Sequence, residues 1–260
     1  MPEPAPEPVP AAGRVLVIVP AWNEQDSLPA TIADIHATQP TVDVLVIDDG
    51  SKDRTSAVAR AAGAQVCRLP FNLGVGGAMR VGYRYAVDHG YDVAVQIDAD
   101  GQHDPRYLDA LLGQLRSHPG GVGADLVIGA RFAGEGDPYR VSFARGLAMR
   151  LLARTLSRMA RTRLTDVTSG FRAANRRALT IFAAHYPAEY LGDTVESTVI
   201  AIRAGCTVEQ VPVQMRLRQG GQASQTPLRA ALYLARAVLA LGLALVRKWP
   251  HIDEIEVGSR

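Results

Sequence analysis

The chain is poor in cysteine, with only Cys67 and Cys206 among 260 residues. Neither has another cysteine or a histidine at metal-ligand spacing, which excludes a disulfide framework and a zinc site built on them. Both lie in apolar, strand-like surroundings and are expected to be buried thiols in a reducing compartment. An excess of one charge is missing as well. A net charge of +2 and an isoelectric point near 8.6 are too mild to argue for nucleic acid. The first residues, MPEPAPEPVPAAG, lack the basic-then-apolar form of a secretory leader. Their prolines predict a disordered or polyproline lead over residues 1–13, outside the fold. The GxGxxG spacing of a dinucleotide fold and the GxxxxGK[ST] phosphate loop are both absent. What remains is the composition of a soluble globular protein, 47% hydrophobic and 21% charged. Its length suffices for one large domain or two small ones.

The most informative stretch is VQIDADGQHDP, residues 95–105. An apolar run ends there in Asp98, Asp100, Gln102, His103 and Asp104, which predicts a buried strand stopping at an open sheet edge. Carboxylates at i and i+2 on a strand end point to one side, and Gln102 adds an amide oxygen. Oxygen-only ligands suit Mg²⁺ or Mn²⁺, which keep other positions for water and phosphate. The competing reading is a polar loop whose aspartates cap the next helix, since Asp104-Pro105 is a good cap. Three acids and an amide in seven residues exceed what a cap requires.

Upstream, residues 14–19 (RVLVIV) predict a buried strand ended by Pro20. Residues 23–27 then cap a helix reaching about residue 38, with Leu28, Ile32 and Ile35 on one face. A second strand (42–47) ends in Asp48-Asp49-Gly50-Ser51, a short alanine-rich helix follows, and residues 64–69 predict a third strand. A glycine-rich helix start, NLGVGGAMRVGYRYAVDH (72–89), leads into the strand that carries the acids. This alternation predicts a doubly wound α/β sheet with its ligand at the carboxyl ends of the strands.

Taken in order, VIVPAWNE, VLVIDDGSKDRT, NLGVGGAMRVGYRYA and IDADGQHDP resemble a family 2 glycosyltransferase of the GT-A fold. SGFRAANRRAL (169–179) and the arginine-rich middle narrow the resemblance to polyprenyl- or dolichol-phosphate hexose synthases. It spans about residues 14–225 and says nothing of which sugar. It implies an α/β fold with a mostly parallel sheet flanked by helices, a nucleotide diphosphate sugar donor (GDP-mannose or UDP-glucose type) and a polyprenyl phosphate acceptor. Pro20, Glu24 and Asp49 would line base and ribose; Asp98 would face the ribose or the metal, and Asp100 and Gln102 would hold the metal on the diphosphate. Asp49 can accept from a base N–H, and Gly74, Gly76 and Gly77 let backbone approach a ligand closely. Alternatively Asp49 caps the next helix and Gly76-Gly77 form a plain turn.

Residues 131–177 hold eleven arginines against Glu135, Asp137 and Asp166, a cationic block that implies an anionic partner. Residues 125–129 predict another strand. Residues 142–161 predict a helix with Met149, Leu152, Leu156 and Met159 on one side and Arg150, Arg154, Arg158 and Arg161 on the other. It is either an ordinary helix with a solvated basic face or an interfacial helix on anionic lipid. In the turn at 168–172, Ser169, Gly170 and Arg172 can bind phosphate through hydroxyl, backbone N–H and guanidinium. By resemblance, Arg131, Ser169 and Arg172 would hold phosphate groups beside the reacting carbon. Asp193 and Glu196, at the start of a helix over 194–204, are the nearby acids available as a general base. A late strand (208–213) precedes a basic loop, 216–224, placed to close over a nucleotide.

These elements define a catalytic domain over 14–226, an apolar helix over 227–249 and a tail, 250–260. The helix is about 30 Å long, but Arg236 in its middle argues against crossing a bilayer. It packs on the domain or lies in the membrane surface, with Arg247, Lys248 and Trp249 as anchor. The expectation is a metal-dependent, inverting hexosyltransferase, peripheral on an anionic membrane at its cytoplasmic face and not bound to nucleic acid. Its rivals are a family 2 enzyme with a soluble acceptor and a non-catalytic nucleotide-sugar or lipid-head-group binder, which the intact DADGQ disfavours. A nucleotidyltransferase shares the topology but carries a glycine-rich activating loop at the first strand that is missing here.

Overall fold

In a computed structural model the described residues are 13–116, 123–131, 143–187 and 193–216, with backbone alone for 143–149. The expected proline-rich lead and the C-terminal helix and tail lie outside them, as does all but Arg216 of the basic loop. Seven strands form one sheet in the order β3-β2-β1-β4-β6-β5-β7. They are β1 Val15–Ala21, β2 Asp43–Asp48, β3 Gln65–Arg68, β4 Val93–Gln96, β5 Leu126–Ala130, β6 Arg172–Asn175 and β7 Val208–Pro212. The helices are α1 Leu28–Thr38, α2 Thr55–Ala61, α3 Gly74–Asp88, α4 Leu108–Arg116, α5 Phe143–Ala160, α6 Arg176–His185 and α7 Asp193–Arg203.

The central strands are apolar on both faces because helices cover both. Alternate residues of β1 divide between the two layers: Leu16 and Ile18 pack with α3, α6 and α7 residues. Val15, Val17 and Val19 pack with Leu28, Ile32 and Ile35 of α1 and Leu108 and Leu111 of α4. Each fully buried Leu or Ile contributes about 1.5–3 kcal/mol of transfer free energy. Strand β1 does not stop at Pro20 as expected but runs to Ala21, where its carbonyl accepts from Asp49 N–H at 2.9 Å.

Two features escaped the periodicity. β6 is a strand, not part of a surface turn. Its sequence, RAAN, has no β-branched residue, and Ala173 and Ala174 are buried, one in each layer. It pairs antiparallel with β4 and with β5, Gln96 facing Arg172 across the first ladder. The other feature is Cys67, half-buried on edge strand β3 rather than in the core. Cys206 is buried as expected, and burial with nearby Asp125 pushes its thiol up to about 12, so it stays protonated and unreactive.

The α5 helix follows its predicted amphipathic pattern. Leu152 and Leu156 are fully buried in the same core as α7, while Arg150, Arg154, Arg158 and Arg161 are exposed. Leu152 and Leu156 thus pack on the protein itself, while Leu151 stays exposed. Arg161, with φ +56°, turns the chain out of the helix. No helix among the described residues is long and apolar enough to cross a membrane.

Candidate active site

The parallel strands deliver three loops to one edge of the sheet, and these loops are tied together before any ligand is considered. After β1, Asn23 N–H donates to Ser51 Oγ at 2.9 Å, and Lys52 N–H returns a bond to Asn23 Oδ1 at 2.8 Å. Glu24 N–H donates to Thr55 Oγ1 at 2.9 Å, and Gln25 and Arg54 add two more bonds across the same gap. Pro20 is half-buried at the end of β1, and Glu24 accepts from Ser27 Oγ at 2.7 Å. Asp49, almost fully buried, accepts from Leu73 N–H at 2.7 Å and Gly74 N–H at 2.8 Å. It caps α3, not the helix that follows it in sequence. Burial raises its carboxyl above the usual carboxylate range, against those two main-chain bonds.

At Gly76 and Gly77 the protein itself requires the small size. A Cβ at Gly76 would stand 2.3 Å from the Pro187 carbonyl oxygen, and one at Gly77 would stand 2.5 Å from Leu73 Cβ. Gly76 lets α3 pack against the segment leading to α7, and Gly77 makes room for Leu73 at the start of α3 itself.

Strand β4 stops at Gln96, two residues before the first acid, so Asp98 and Asp100 sit on a turn rather than on a strand end. Their environments differ. Asp98 keeps 40% of its side chain exposed and takes one bond from Gln96 Nε2 at 3.1 Å. Asp100 is buried and accepts from Gln102 N–H at 3.0 Å. Among the described residues no three His, Cys, Asp or Glu side chains close on one point. Two carboxylates and the half-buried Gln102 amide are an oxygen donor set, which fits Mg²⁺ or Mn²⁺ completing their shell with phosphate and water.

Because β6 runs antiparallel to β4, the turn that opens β6 meets the turn that closes β4. Gly170 makes the approach possible: a Cβ there would lie 2.9 Å from Gln96 Nε2 and 3.3 and 3.4 Å from the two Asp98 oxygens. Strand β5 runs back towards the same edge and ends beside Arg131. Arg131 forks onto Asp166, Nε to Oδ2 at 2.6 Å and an Nη to Oδ1 at 3.0 Å, with Thr168 Oγ1 at 2.7 Å. Asp166 is fully buried while a third of Arg131 stays exposed. Burial raises the Asp166 carboxyl, but the Arg131 bonds and charge outweigh it and hold it below its ordinary value. Ser169 is buried, its Oγ accepting from Phe171 N–H at 3.3 Å.

Arg172 is not on the turn surface but wholly buried beneath it. Its guanidinium donates to the Ser169 carbonyl at 2.8 Å, to Ser197 Oγ at 2.9 Å and to the Thr194 carbonyl at 3.3 Å. It holds the turn against α7 from within, a positioning task rather than direct phosphate contact. Asp193, also buried, lies close to Arg172 and accepts from Tyr186 Oη at 3.5 Å; burial raises its carboxyl above the ordinary range. Glu196 is half-buried one turn further along α7.

Gln96, His103, Asp166 and Thr168 carry no role in the sequence reading, although Asp166 had a signal, being one of three acids in the arginine block. Arg216 opens the basic loop expected to close over a nucleotide, but its side chain is taken up by distant protein partners. It donates to Asp34 Oδ2 of α1 at 2.5 Å and to Asp104 Oδ1 at 2.8 Å, and its N–H reaches the Gln102 carbonyl at 2.9 Å.

Asp104, which also accepts from Arg106, is drawn up by burial but held at about 2 by the Arg106 and Arg216 bonds. A depressed carboxyl stabilises the fold above its unfolded value of about 3.9, and that contribution is lost as pH falls towards 2. Asp104→Asn is therefore expected to cost on the order of 1 kcal/mol at pH 6, a discounted figure because Arg106 is exposed. Urea midpoints should converge with wild type below pH 3. A constant gap from pH 6 to pH 2 contradicts this assignment.

The model of the family "Glycosyl transferase family 2" matches residues 16–182, from β1 through most of α6. The chain belongs to glycosyl transferase family 2. It is a glycosyltransferase. It is 36% identical over 228 residues to the undecaprenyl-phosphate mannosyltransferase of Micrococcus luteus, covering 82% of this chain and 88% of that one. It is 32% identical over 230 residues to the polyprenol monophosphomannose synthase of Mycolicibacterium smegmatis, covering 85% and 84%. Among solved structures, glucosyl-3-phosphoglycerate synthase of Mycobacterium tuberculosis, in complex with Mn²⁺, UDP and glucosyl-3-phosphoglycerate, superposes with a TM-score of 0.68. That match covers 90% of this chain and 80% of the other at 22% identity, and it establishes the fold of this glycosyltransferase as GT-A-like.

Proposed function

We propose that this glycosyltransferase transfers a hexose from a nucleotide diphosphate sugar to a polyprenyl phosphate, with inversion, at the cytoplasmic face of a membrane. The observation that carries the reading is the abutment of Asp98 on the Ser169–Phe171 turn through Gly170. It sets the donor carboxylates beside a phosphate-binding turn flanked by Arg131. The two relatives, an undecaprenyl-phosphate mannosyltransferase and a polyprenol monophosphomannose synthase, support the same acceptor class.

Asp98, Asp100 and Gln102 would hold Mg²⁺ or Mn²⁺, which when bound neutralises charge on the leaving nucleoside diphosphate. The β1–α1 and β2–α2 loops, latched to each other, carry Pro20, Glu24 and Asp49 around the nucleoside. Arg131, oriented by Asp166 and Thr168, holds the acceptor phosphate in line with the anomeric carbon. A phosphate oxygen forms the new bond to that carbon, and the carbon–oxygen bond to the diphosphate breaks with its electron pair. A phosphate monoester has a second pKa near 6, so at pH 7 it is mostly a dianion and has no proton to lose. No general base is required, and Asp193, buried against Arg172 and Tyr186, is not called on to be one.

The exposed arginine row of α5 supports contact with anionic lipid head groups, independently of its buried apolar face. Incubation with Mg²⁺, polyprenyl phosphate in anionic vesicles and a panel of labelled nucleotide sugars tests the whole proposal. One hexose label should move into the organic phase. Label transferred only to a water-soluble acceptor refutes the lipid phosphate.

A further inference from the structure

His103 lies behind the acidic turn, 3% exposed, and both of its nitrogens face the same residue. The main-chain N–H of Asp98 donates to Nδ1 at 3.0 Å. A ring nitrogen that accepts keeps its lone pair, so the imidazole proton resides on Nε2. Nε2 lies 3.6 Å from Asp98 Oδ2, just beyond hydrogen-bond length. The other carboxylate oxygen, Oδ1, is the one that accepts from Gln96 Nε2. One oxygen of the Asp98 carboxylate is thus hydrogen-bonded from β4, and the other faces the His103 ring from within the turn at ion-pair distance.

The ring is held in turn. It stacks on Phe171, with centroids 5.0 Å apart and planes 15° from parallel. Phe171 is buried and its carbonyl accepts from Gly129 N–H at 2.8 Å, which ties it to β5. The main chain around His103 is fixed separately, by a bridge to Met215 and by the Arg216 bonds. The stack on Phe171 uses the ring face alone; the nitrogens are spent on Asp98, Nδ1 on its main-chain N–H and Nε2 towards its carboxylate.

We infer that His103 is a positioning residue, locked as the Nε2–H tautomer, which aims the Asp98 carboxylate at the divalent ion and couples it to the acceptor turn through Phe171. The inference rests on the metal reading of Asp98 given above. Outer-shell partners of metal ligands commonly change metal affinity by about 10–100-fold when removed.

Long-range ¹H–¹⁵N correlation spectra of the labelled protein read the tautomer directly. An Nε2–H pattern for His103 is expected, and an Nδ1–H pattern overturns the inference. Mn²⁺ binding, followed by electron paramagnetic resonance with and without UDP, is then compared for wild type and His103→Phe. The variant should melt cooperatively and bind Mn²⁺ about 10-fold more weakly. Undiminished affinity in the folded variant overturns the inference alone. If His103→Phe does not fold, His103→Asn, which keeps an acceptor near the Nδ1 position and lacks the second nitrogen, is measured instead, and wild-type affinity there is equally fatal. Wild-type protein that takes up no Mn²⁺ under either condition refutes the metal reading of Asp98 itself, and the inference with it.

Discussion

Asp100→Asn is expected to fold like wild type and to turn over at least about 10²-fold more slowly. The asparagine oxygen can still accept from Gln102 N–H, the bond that Asp100 makes at 3.0 Å, so the turn keeps its shape. In the proposed mechanism this removes one negative ligand for the ion that would neutralise the departing diphosphate, an interaction strongest in the transition state. The loss should therefore appear in kcat as well as in kcat/KM, with a circular dichroism melt unchanged. Wild type in excess EDTA should fall to a similar level and recover on adding Mg²⁺ or Mn²⁺. Full activity of the variant, or of wild type in EDTA, removes the metal from the proposed mechanism.

The second large effect concerns Arg131, where stability and acceptor binding are entangled and can be separated. Arg131→Ala leaves the buried Asp166 carboxylate without its fork, and breaking such a pair costs about 3–5 kcal/mol. A loss of transfer in that variant alone would be ambiguous. Asp166→Ala combined with Arg131→Ala removes the stranded charge and is expected to recover much of the lost stability, as double-mutant cycles on buried pairs allow. Transfer to polyprenyl phosphate should stay depressed by about 10²–10³-fold in both, because both lack the guanidinium that the proposed mechanism places beside the acceptor phosphate. Nucleotide-sugar binding, measured by calorimetry, should change little. Asp193→Asn and Glu196→Gln should do less harm, since a dianionic phosphate needs no base. If either carboxylate variant is dead while the double variant transfers normally, the acceptor is a hydroxyl.

Much of the scaffold was legible in the residue pattern. RVLVIV and VDVLVI are β-branched and apolar on both faces, so strands β1 and β2 follow from local preference and from a sheet covered by helices on each side. Leu28, Ile32 and Ile35 of α1 are fully buried, as their spacing requires. The clustering of Asp48, Asp49, Asp98 and Asp100 at the carboxyl edge follows from the parallel connection, which places every βα loop at that end.

The long-range assignments were another matter. That Asp49 caps α3 depends on contacts across more than twenty residues, and that Gly76 and Gly77 serve packing depends on Pro187 and Leu73. Arg172 looked like a surface phosphate ligand because arginine usually lies outside. Its burial depends on acceptors from Ser169, Thr194 and Ser197 arriving together. The antiparallel sense of β6 has no mark in RAAN, yet it alone brings Gly170 to Asp98 and makes one site of two motifs more than seventy residues apart. By itself, then, the sequence determined most of the strands and helices, though neither β6 nor α6, together with the acidic edge and the family, because these depend on side-chain period and local motif. Strand direction, the burial of Arg172 and the pairing of Arg131 with Asp166 were decided by the tertiary structure, because hydrogen bonds and charge pairs between distant segments leave no periodic trace along the chain.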